Sequence, residues 1–128
     1  MSVRETRLVF DQQGQTILWP NDPERSKAYL PDSQSLWDFL WDNRERLGGV
    51  AHTHPWEGEV WASHTDVTTF SAIEKGLGRR LLWPIVTFTH MEVFQWVGPG
   101  DYDYAPLRNP PVSVEGIEDL RRRSRMDG

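Results

Sequence analysis

The residues of this chain with the clearest chemical potential lie in the stretch GGVAHTHPWEGEVWASHTD, which spans positions 48–66 and holds three of the four histidines. His52 and His54 stand two apart at the end of a short apolar run. Side chains two apart on a strand point to the same face, so a strand here would present both imidazoles together. Asp66 adds a carboxylate if the intervening loop folds back. Two histidines and an aspartate match the ligands of a catalytic zinc site, which keeps a fourth position open for water.

The chemistry expected of such a site is hydrolysis. Zn²⁺ lowers the pKa of a bound water from ~16 towards ~7 and polarises a carbonyl group. The chain contains no cysteine, which excludes thiolate ligands and disulfides and leaves His, Asp, Glu and water as donors. The sequence therefore predicts a Zn²⁺ cofactor bound by nitrogen and oxygen atoms alone.

Two residues of this stretch also have a purely structural interpretation. Ser63 precedes Asp66 by three positions, as in a capping box at the start of a helix, with Asp in place of the usual Glu. The two roles are compatible for Ser63, but they compete for the single carboxylate of Asp66. His64 is expected to be exposed in the cap turn, with a role as extra ligand or proton shuttle as the alternative. His90 is expected in a strand outside the site.

The elements that must position these residues follow from the periodicity of the sequence. Residues 6–20 predict two strands around a turn at Gly14, and a short strand is expected in the polar loop at 27–30. Residues 33–47 repeat apolar side chains at helical spacing, and the glycine pair at 48–49 predicts the end of this helix.

The chain after the glycine pair supplies the elements of the site. The sequence GVAH predicts a strand buried in the sheet, with the histidines at its C-terminal end. Residues 63–78 predict a second helix, which ends at Gly76 or Gly78, and 79–98 predict two more strands. A loop to Pro111 and a short C-terminal helix complete the chain.

Together these elements predict an α+β (mixed α/β) fold in one domain, residues 1–128, with a polar tail from about residue 112. The net charge of −5 disfavours nucleic acid as a partner. The basic cluster LRRRSR at 120–125 is expected as a solvated helix end, with a phosphate-binding arm as the alternative. No stretch resembles a signal peptide or a membrane span, so the expected location is the cytoplasm, without membrane association.

Seven tryptophans are many for 128 residues. Trp56 and Trp61 flank the acids of the histidine stretch and are expected to line a cleft, since an aromatic ring with one polar group suits a partly hydrated surface. A surface anchor for a partner and a small core within the loop are the alternatives. The other five lie in apolar contexts and are expected in the core: Trp19, Trp37, Trp41, Trp83 and Trp96.

The stretch HTHPWEGEVWASHTD resembles the signature of the JAMM metalloproteases (JAB/MPN domain), written as H-x-H-P, a run of six residues, then S-x-x-D. The resemblance covers about residues 7 to 97, and the loop is one residue longer than the family's. It implies an MPN/JAB-like (cytidine-deaminase-like) central mixed β-sheet flanked by helices. The matching positions are His52, His54, Pro55, Ser63 and Asp66.

The resemblance also implies roles for these residues. His52, His54 and Asp66 would bind Zn²⁺, and Ser63 would help to stabilise the oxyanion of the tetrahedral intermediate through its hydroxyl. The reaction would be hydrolysis of a peptide or isopeptide bond in a protein or peptide substrate. Conjugates of a ubiquitin-like modifier are among the substrates of the family.

A catalytic glutamate is the remaining part of the family's site. In JAMM enzymes it lies in or near a helix before the first strands and acts as general base and then as general acid. Glu5 is the preferred position, because it lies just before the first predicted strand and 47 residues ahead of His52. Glu24 is the second choice, and Glu57 or Glu59 could substitute in space. A chain without this acid would be a catalytically inactive MPN-like binding or scaffold module.

Overall fold

The computed structural model of the chain describes residues 5–20 and 33–125, which form six strands and three helices. Glu24 and the strand predicted at 27–30 lie outside the described residues. In chain order the elements are β1 (Arg7–Asp11), β2 (Thr16–Leu18), α1 (Ser33–Asp42), β3 (Leu47–Thr53), α2 (His64–Leu77), β4 (Trp83–Val86), β5 (Met91–Trp96), β6 (Tyr104–Pro106) and α3 (Ile117–Arg125).

The six strands form one mixed sheet in the order β2-β1-β3-β4-β5-β6, so the expected α+β class is confirmed. Neighbouring strands are antiparallel except β3 and β4, which run parallel and are joined through α2. A parallel pair needs such a crossover because the chain must return to the starting edge of the sheet. The C-terminal end of β3 and the N-terminal end of α2 therefore meet at one edge, where the histidine stretch lies.

One face of the sheet is covered by α1 and α2. Phe70 of α2 stacks on Trp83 of β4, with 4.3 Å between the ring centroids. Each fully buried side chain of this size contributes about 1.5–3 kcal/mol, so the contact anchors α2 over the sheet. The buried apolar cluster on this face comprises Val9, Leu40, Leu47, Val50, Phe70, Leu77, Leu81, Trp83, Ile85 and Phe94.

The opposite face of the sheet is covered by α3, in the segment predicted as a polar tail. Leu120 and Ser124 are fully buried there. Arg121 donates from Nε to the Thr87 carbonyl (2.8 Å) and from Nη2 to the His90 carbonyl (3.0 Å). One member of the basic cluster is therefore bound to the backbone of the turn between β4 and β5, while Arg122 remains largely exposed. The apolar cluster on this face comprises Leu8, Phe10, Ala51, Val86 and Leu120.

Helix α1 ends before the predicted Leu47, and the glycine pair expected as its stop lies inside β3. At the end of the helix, the backbone N–H (3.1 Å) and the side-chain amide (2.8 Å) of Asn43 both donate to the Phe39 carbonyl. Gly49 permits a close approach instead, because a Cβ there would collide with the backbone carbonyl of Leu82. The apolar spacing misled the prediction because Leu47 begins the strand and is itself buried.

Two other predictions also need correction. The stretch expected as a loop before Pro111 contains β6, a three-residue strand that pairs with β5 and is too short to give a period-2 pattern. Trp41, expected in the core, is 42 % exposed, with its ring against Trp37 and the guanidinium of Arg44. Within residues 5–20 and 33–125, none of the helices has the length and apolar character needed to cross a membrane.

Candidate metal centre

Strand β3 carries the two histidines to the edge of the sheet. His52 lies within the strand, opposite Arg7 of β1 and Ile85 of β4. His54 follows the last strand residue, but its backbone N–H still donates to the Val86 carbonyl (2.9 Å). The alternation of the extended chain therefore turns both imidazoles towards the same face, as the sequence predicts.

The first turn of α2 supplies the carboxylate. Ser63 is the N-cap and the predicted capping box is complete, since the Asp66 N–H donates to Ser63 Oγ (3.0 Å) and the Ser63 N–H donates to Asp66 Oδ2 (2.9 Å). This pair fixes the direction of the Asp66 side chain, which faces the histidines at the same time. The observed capping role leaves the expected ligand role open to Asp66, because a carboxylate has about four lone-pair sites on two oxygens.

The ligand atoms of His52, His54 and Asp66 lie within 4.8 Å of one another. His52 Nε2 is 3.2 Å from His54 Nε2 and 3.3 Å from Asp66 Oδ1, and His54 Nε2 is 3.0 Å from Asp66 Oδ2. In a tetrahedral site with metal–ligand bonds of about 2.0 Å, neighbouring ligand atoms are about 3.3 Å apart. The three atoms already have the spacing that one small dication requires, so this group could hold a metal ion.

The carboxyl group of Asp66 is strongly biased towards its charged form. Burial by itself raises its pKa, but hydrogen bonds from His52, His54 and the Ser63 backbone, with the charge of His52, outweigh burial and hold the pKa well below its usual range. A metal ligand must be deprotonated, so this environment suits the role.

His54 is buried, and its Nδ1 has no hydrogen-bond partner among the described residues. The ring is held instead by its Nε2 contacts and by Trp56, whose ring centroid lies 4.6 Å away. In the tautomer with its proton on Nδ1, Nε2 presents a lone pair to the centre of the cluster. Imidazole nitrogens and a carboxylate that converge on one point are a donor set suited to Zn²⁺.

The loop of residues 56–62 is tied to the turn between β4 and β5. Gly58 has φ +106°, a conformation that favours glycine. Its N–H donates to Thr89 Oγ1 (2.9 Å), and its carbonyl accepts from Thr87 Oγ1 (2.7 Å). The extra residue relative to the JAMM signature is therefore accommodated in a fixed loop, and the three ligand residues still converge.

Two tryptophans of this loop lie beside His54 and contact each other. Trp56 and Trp61 stack with 5.3 Å between ring centroids, and the Trp61 centroid is 5.8 Å from that of His54. Trp61 is 54 % exposed. The stacking of the two rings fits the alternative of a small core within the loop, and neither ring is among the residues that line the cavity described next.

A cavity of about 240 Å³ opens beside the ligands and is lined by Glu5, Arg7, His52 and Asp66. The Thr53 N–H donates to the Thr6 carbonyl (3.0 Å), so the pairing of β1 with β3 continues beyond Arg7. This pairing places Glu5 on the same side as Arg7 and His52. The rest of the wall is mostly apolar: Leu36, Leu40, Val50, Thr65, Thr69, Phe70, Ile73 and Trp83.

Of the other acids and histidines considered from the sequence, those that the structure describes lie apart from this cavity. Glu57 and Glu59 are exposed in the loop and do not line it. His64 is exposed, as expected, with its ring 5.9 Å from that of Tyr102. His90 is exposed in the turn before β5, outside the site. Among the described candidates for the acid, Glu5 is the one that shares a cavity with the ligands.

Sequence reasoning overlooked Arg7, which lines the same cavity. The residue looks like the polar start of an apolar run. Its alternation with Glu5 was a usable signal, because side chains two apart on a strand share a face.

Fold and site together define the class of this chain as an α+β domain with a His-His-Asp group that could hold a metal ion. A scan against protein-family models and a search of curated proteins gave no match. The resemblance to the JAMM family therefore rests on the motif residues themselves.

Proposed function

We propose that this protein is a zinc-dependent hydrolase of peptide or isopeptide bonds of the JAMM type, with an MPN/JAB-like fold. The observation that carries the proposal is the shared cavity, which Glu5, His52 and Asp66 line together. The position of the motif between β3 and α2, at one edge of a mixed sheet, supports the fold assignment. Ligands of α/β sheets bind outside the carboxyl ends of the strands, and the cluster lies at such an end.

The metal ligands of the proposed enzyme are His52, His54 and Asp66. Zn²⁺ supplies a Lewis acid that lowers the pKa of water and polarises a carbonyl group. The sheet and the capping box hold the three side chains at the spacing of metal ligands.

Glu5 is the proposed general base. Its carboxylate accepts a proton from the attacking water and later donates a proton to the leaving amine. Glu5 makes no hydrogen bond or ion pair with another described residue, so its oxygens are available to the substrate.

Ser63 is the proposed donor to the developing oxyanion. Its Oγ accepts the Asp66 N–H (3.0 Å), which fixes the oxygen beside the ligands and leaves the hydroxyl hydrogen to donate. One such donor typically contributes about 10²–10³ in kcat.

Metal content and hydrolysis test this proposal together. The purified protein should bind about one zinc per chain by elemental analysis, and His54→Ala should lose it, whereas the exposed histidine variant His64→Ala should keep it. The zinc-loaded protein should cleave members of a pool of peptides and isopeptide-linked peptides, detected by mass spectrometry.

Glu5→Gln separates an enzyme from a binding module. It should keep zinc and lose hydrolysis by roughly 10²–10⁴-fold, and Glu57→Gln is the matched control because it makes the same change outside the cavity. Zinc binding without any hydrolysis would favour the inactive MPN-like module, and absence of zinc would contradict the site itself.

A further inference from the structure

Arg7 and Glu5 form a pair of opposite charges on one wall of the cavity. Arg7 lies directly across from His52 in the strand register, and neither charged side chain makes a hydrogen bond or ion pair with another described residue. Two positions along an extended strand are about 6.8 Å apart, which is short relative to the reach of the two side chains. The cavity therefore presents an acceptor and a guanidinium side by side.

The remainder of the cavity is suited to an apolar side chain. Its wall includes Leu36, Leu40 and Val50 together with aromatic rings of the core. Pockets of this kind bind through apolar contact and use a few polar groups to fix orientation. A volume of about 240 Å³ has room for one side chain such as that of leucine or phenylalanine.

The charges of the wall favour an anion once a metal is bound. Glu5 and Asp66 are acidic and Arg7 is basic, so a dication changes the sum of these charges from one negative to one positive. Guanidinium binds a carboxylate through two parallel hydrogen bonds and is the side chain of choice for this anion.

We infer that the cavity binds the C-terminal residue of a peptide substrate. Arg7 binds the free α-carboxylate of that residue, and the apolar side chain of that residue packs against the apolar wall. The inference rests on the proposed function and names its substrate class: peptides that end in an apolar residue, which the enzyme releases as an amino acid. In an amino acid the nitrogen and the carboxylate are joined through one carbon, so Glu5 and Arg7 contact both groups of the same residue.

The bond changes follow from this placement. The oxygen of water adds to the carbonyl carbon of the last peptide bond, and Glu5 accepts one proton of that water. The C–N bond then breaks, and Glu5 returns the proton to the leaving nitrogen. The products are a shortened peptide with a new carboxylate and a free apolar amino acid, and no oxidant or further reactant is needed.

Binding of N-acetyl-L-leucine and N-acetyl-L-leucinamide to the zinc-loaded protein, measured by calorimetry, tests the subsite without requiring catalysis. N-acetyl-L-leucine should bind more tightly than N-acetyl-L-leucinamide. Arg7→Gln should lower the affinity for the acid by about 10-fold to 100-fold, with little effect on the affinity for the amide. Arg7→Lys should give an intermediate loss of affinity for the acid, since lysine keeps the positive charge but lacks the planar guanidinium group that forms two parallel hydrogen bonds.

Two controls keep the measurement specific. Arg108→Gln makes the same change at an exposed position and should leave both affinities unchanged. Leu36→Trp fills part of the apolar wall and should weaken acid and amide alike. The inference would be overturned if N-acetyl-L-leucine did not bind, or if Arg7→Gln left its affinity unchanged. Arg7 would then not contribute to binding of the carboxylate.

Hydrolysis distinguishes this inference from the proposed function. Cleavage of N-acetyl-alanyl-leucine over its C-terminal amide, lost in Arg7→Gln, supports both. Cleavage of acid and amide at equal rates overturns the subsite and leaves the hydrolase standing. Arg7-dependent binding in a protein that cleaves no peptide supports the subsite and removes the hydrolase.

Discussion

Helix α2 carries two acids in very different surroundings, Asp66 in its first turn and Glu74 further along. Glu74 is enclosed: its carboxylate accepts from the Leu81 N–H (2.9 Å), Trp83 Nε1 (2.8 Å), Arg80 Nη1 (2.9 Å) and the Tyr104 hydroxyl. The side chain of Glu74 is 1 % exposed. Asp66 is 16 % exposed and borders the cavity.

The difference lies in how the two carboxylates are satisfied. Every partner of Glu74 is a donor fixed by the fold, so its charge ties α2 to the strands and to the segment after the helix. Burial, followed by the hydrogen bond and charge of Glu74, raises the pKa of Tyr104 above its ordinary value, which keeps the phenol a donor. Asp66 instead faces two imidazole nitrogens that could themselves bind a cation. A saturated buried acid is structural, and an acid shared with histidines at a cavity is a candidate ligand.

The largest expected effect is on zinc affinity in Asp66→Asn. The amide oxygen can still accept the Ser63 N–H, but the ligand charge is lost. Zinc affinity, measured by competition with a chelator, should fall at least about 100-fold, since each ligand of a tetrahedral site carries a large share of the binding free energy. The free energy of unfolding of the metal-free protein should also fall, because the lowered pKa of Asp66 means that the folded state stabilises the charged carboxylate, which the amide replaces. Unchanged zinc affinity would remove the distinction between the two acids.

The corresponding change at the other acid of α2 is Glu74→Gln, which also replaces a carboxylate by an amide. One carboxylate oxygen of Glu74 accepts the Leu81 N–H and Trp83 Nε1, and the other accepts Arg80 Nη1 and the Tyr104 hydroxyl. Glutamine replaces one of these oxygens with an NH₂ group, which is a donor, so the donors on that side lose their acceptor. The free energy of unfolding should fall by about 2–4 kcal/mol in urea denaturation, with zinc stoichiometry unchanged. A loss of zinc at full stability would show that the enclosed acid serves the site.

A smaller effect is expected for Ser63→Ala, which removes the N-cap acceptor of the Asp66 N–H. The free energy of unfolding should fall by about 1 kcal/mol. Zinc should remain bound, because the imidazoles and the carboxylate are still present, while hydrolysis falls if Ser63 supports the oxyanion. Thermal denaturation and elemental analysis measure the two outcomes, and loss of zinc would make the cap a requirement for the ligand geometry.

The smallest effect is expected at Lys75, a third charged residue of α2. Its Nζ pairs with Asp101 Oδ2 at 2.8 Å, but both side chains are more than half exposed. Such pairs are screened by water and salt, so Lys75→Gln should leave both the melting temperature and zinc affinity unchanged within error. A loss of stability as large as that expected for Glu74→Gln would show that burial does not decide how much a charged residue contributes to stability.

Much of the site was predictable because its signals are local. The capping box of Ser63 and Asp66 follows from a three-residue spacing, and the shared face of the two histidines follows from strand alternation. The glycine pair was misassigned because its reason is distant in the sequence: Gly49 makes room for the carbonyl of Leu82. The strand β6 and the packing of α3 were missed for the same reason, since they depend on partners across the sheet.

The sequence by itself determined the donor types, their spacing and the two elements that carry them, because these depend on helical and strand periodicity and on side-chain chemistry. Only the tertiary structure decided that the three ligand atoms meet, that Glu5 lines their cavity while Glu57 and Glu59 do not, and that Arg7 shares the wall. These relations come from the pairing of β1 with β3 and the docking of α2. Such long-range contacts are set by burial of the whole core, which no local pattern encodes.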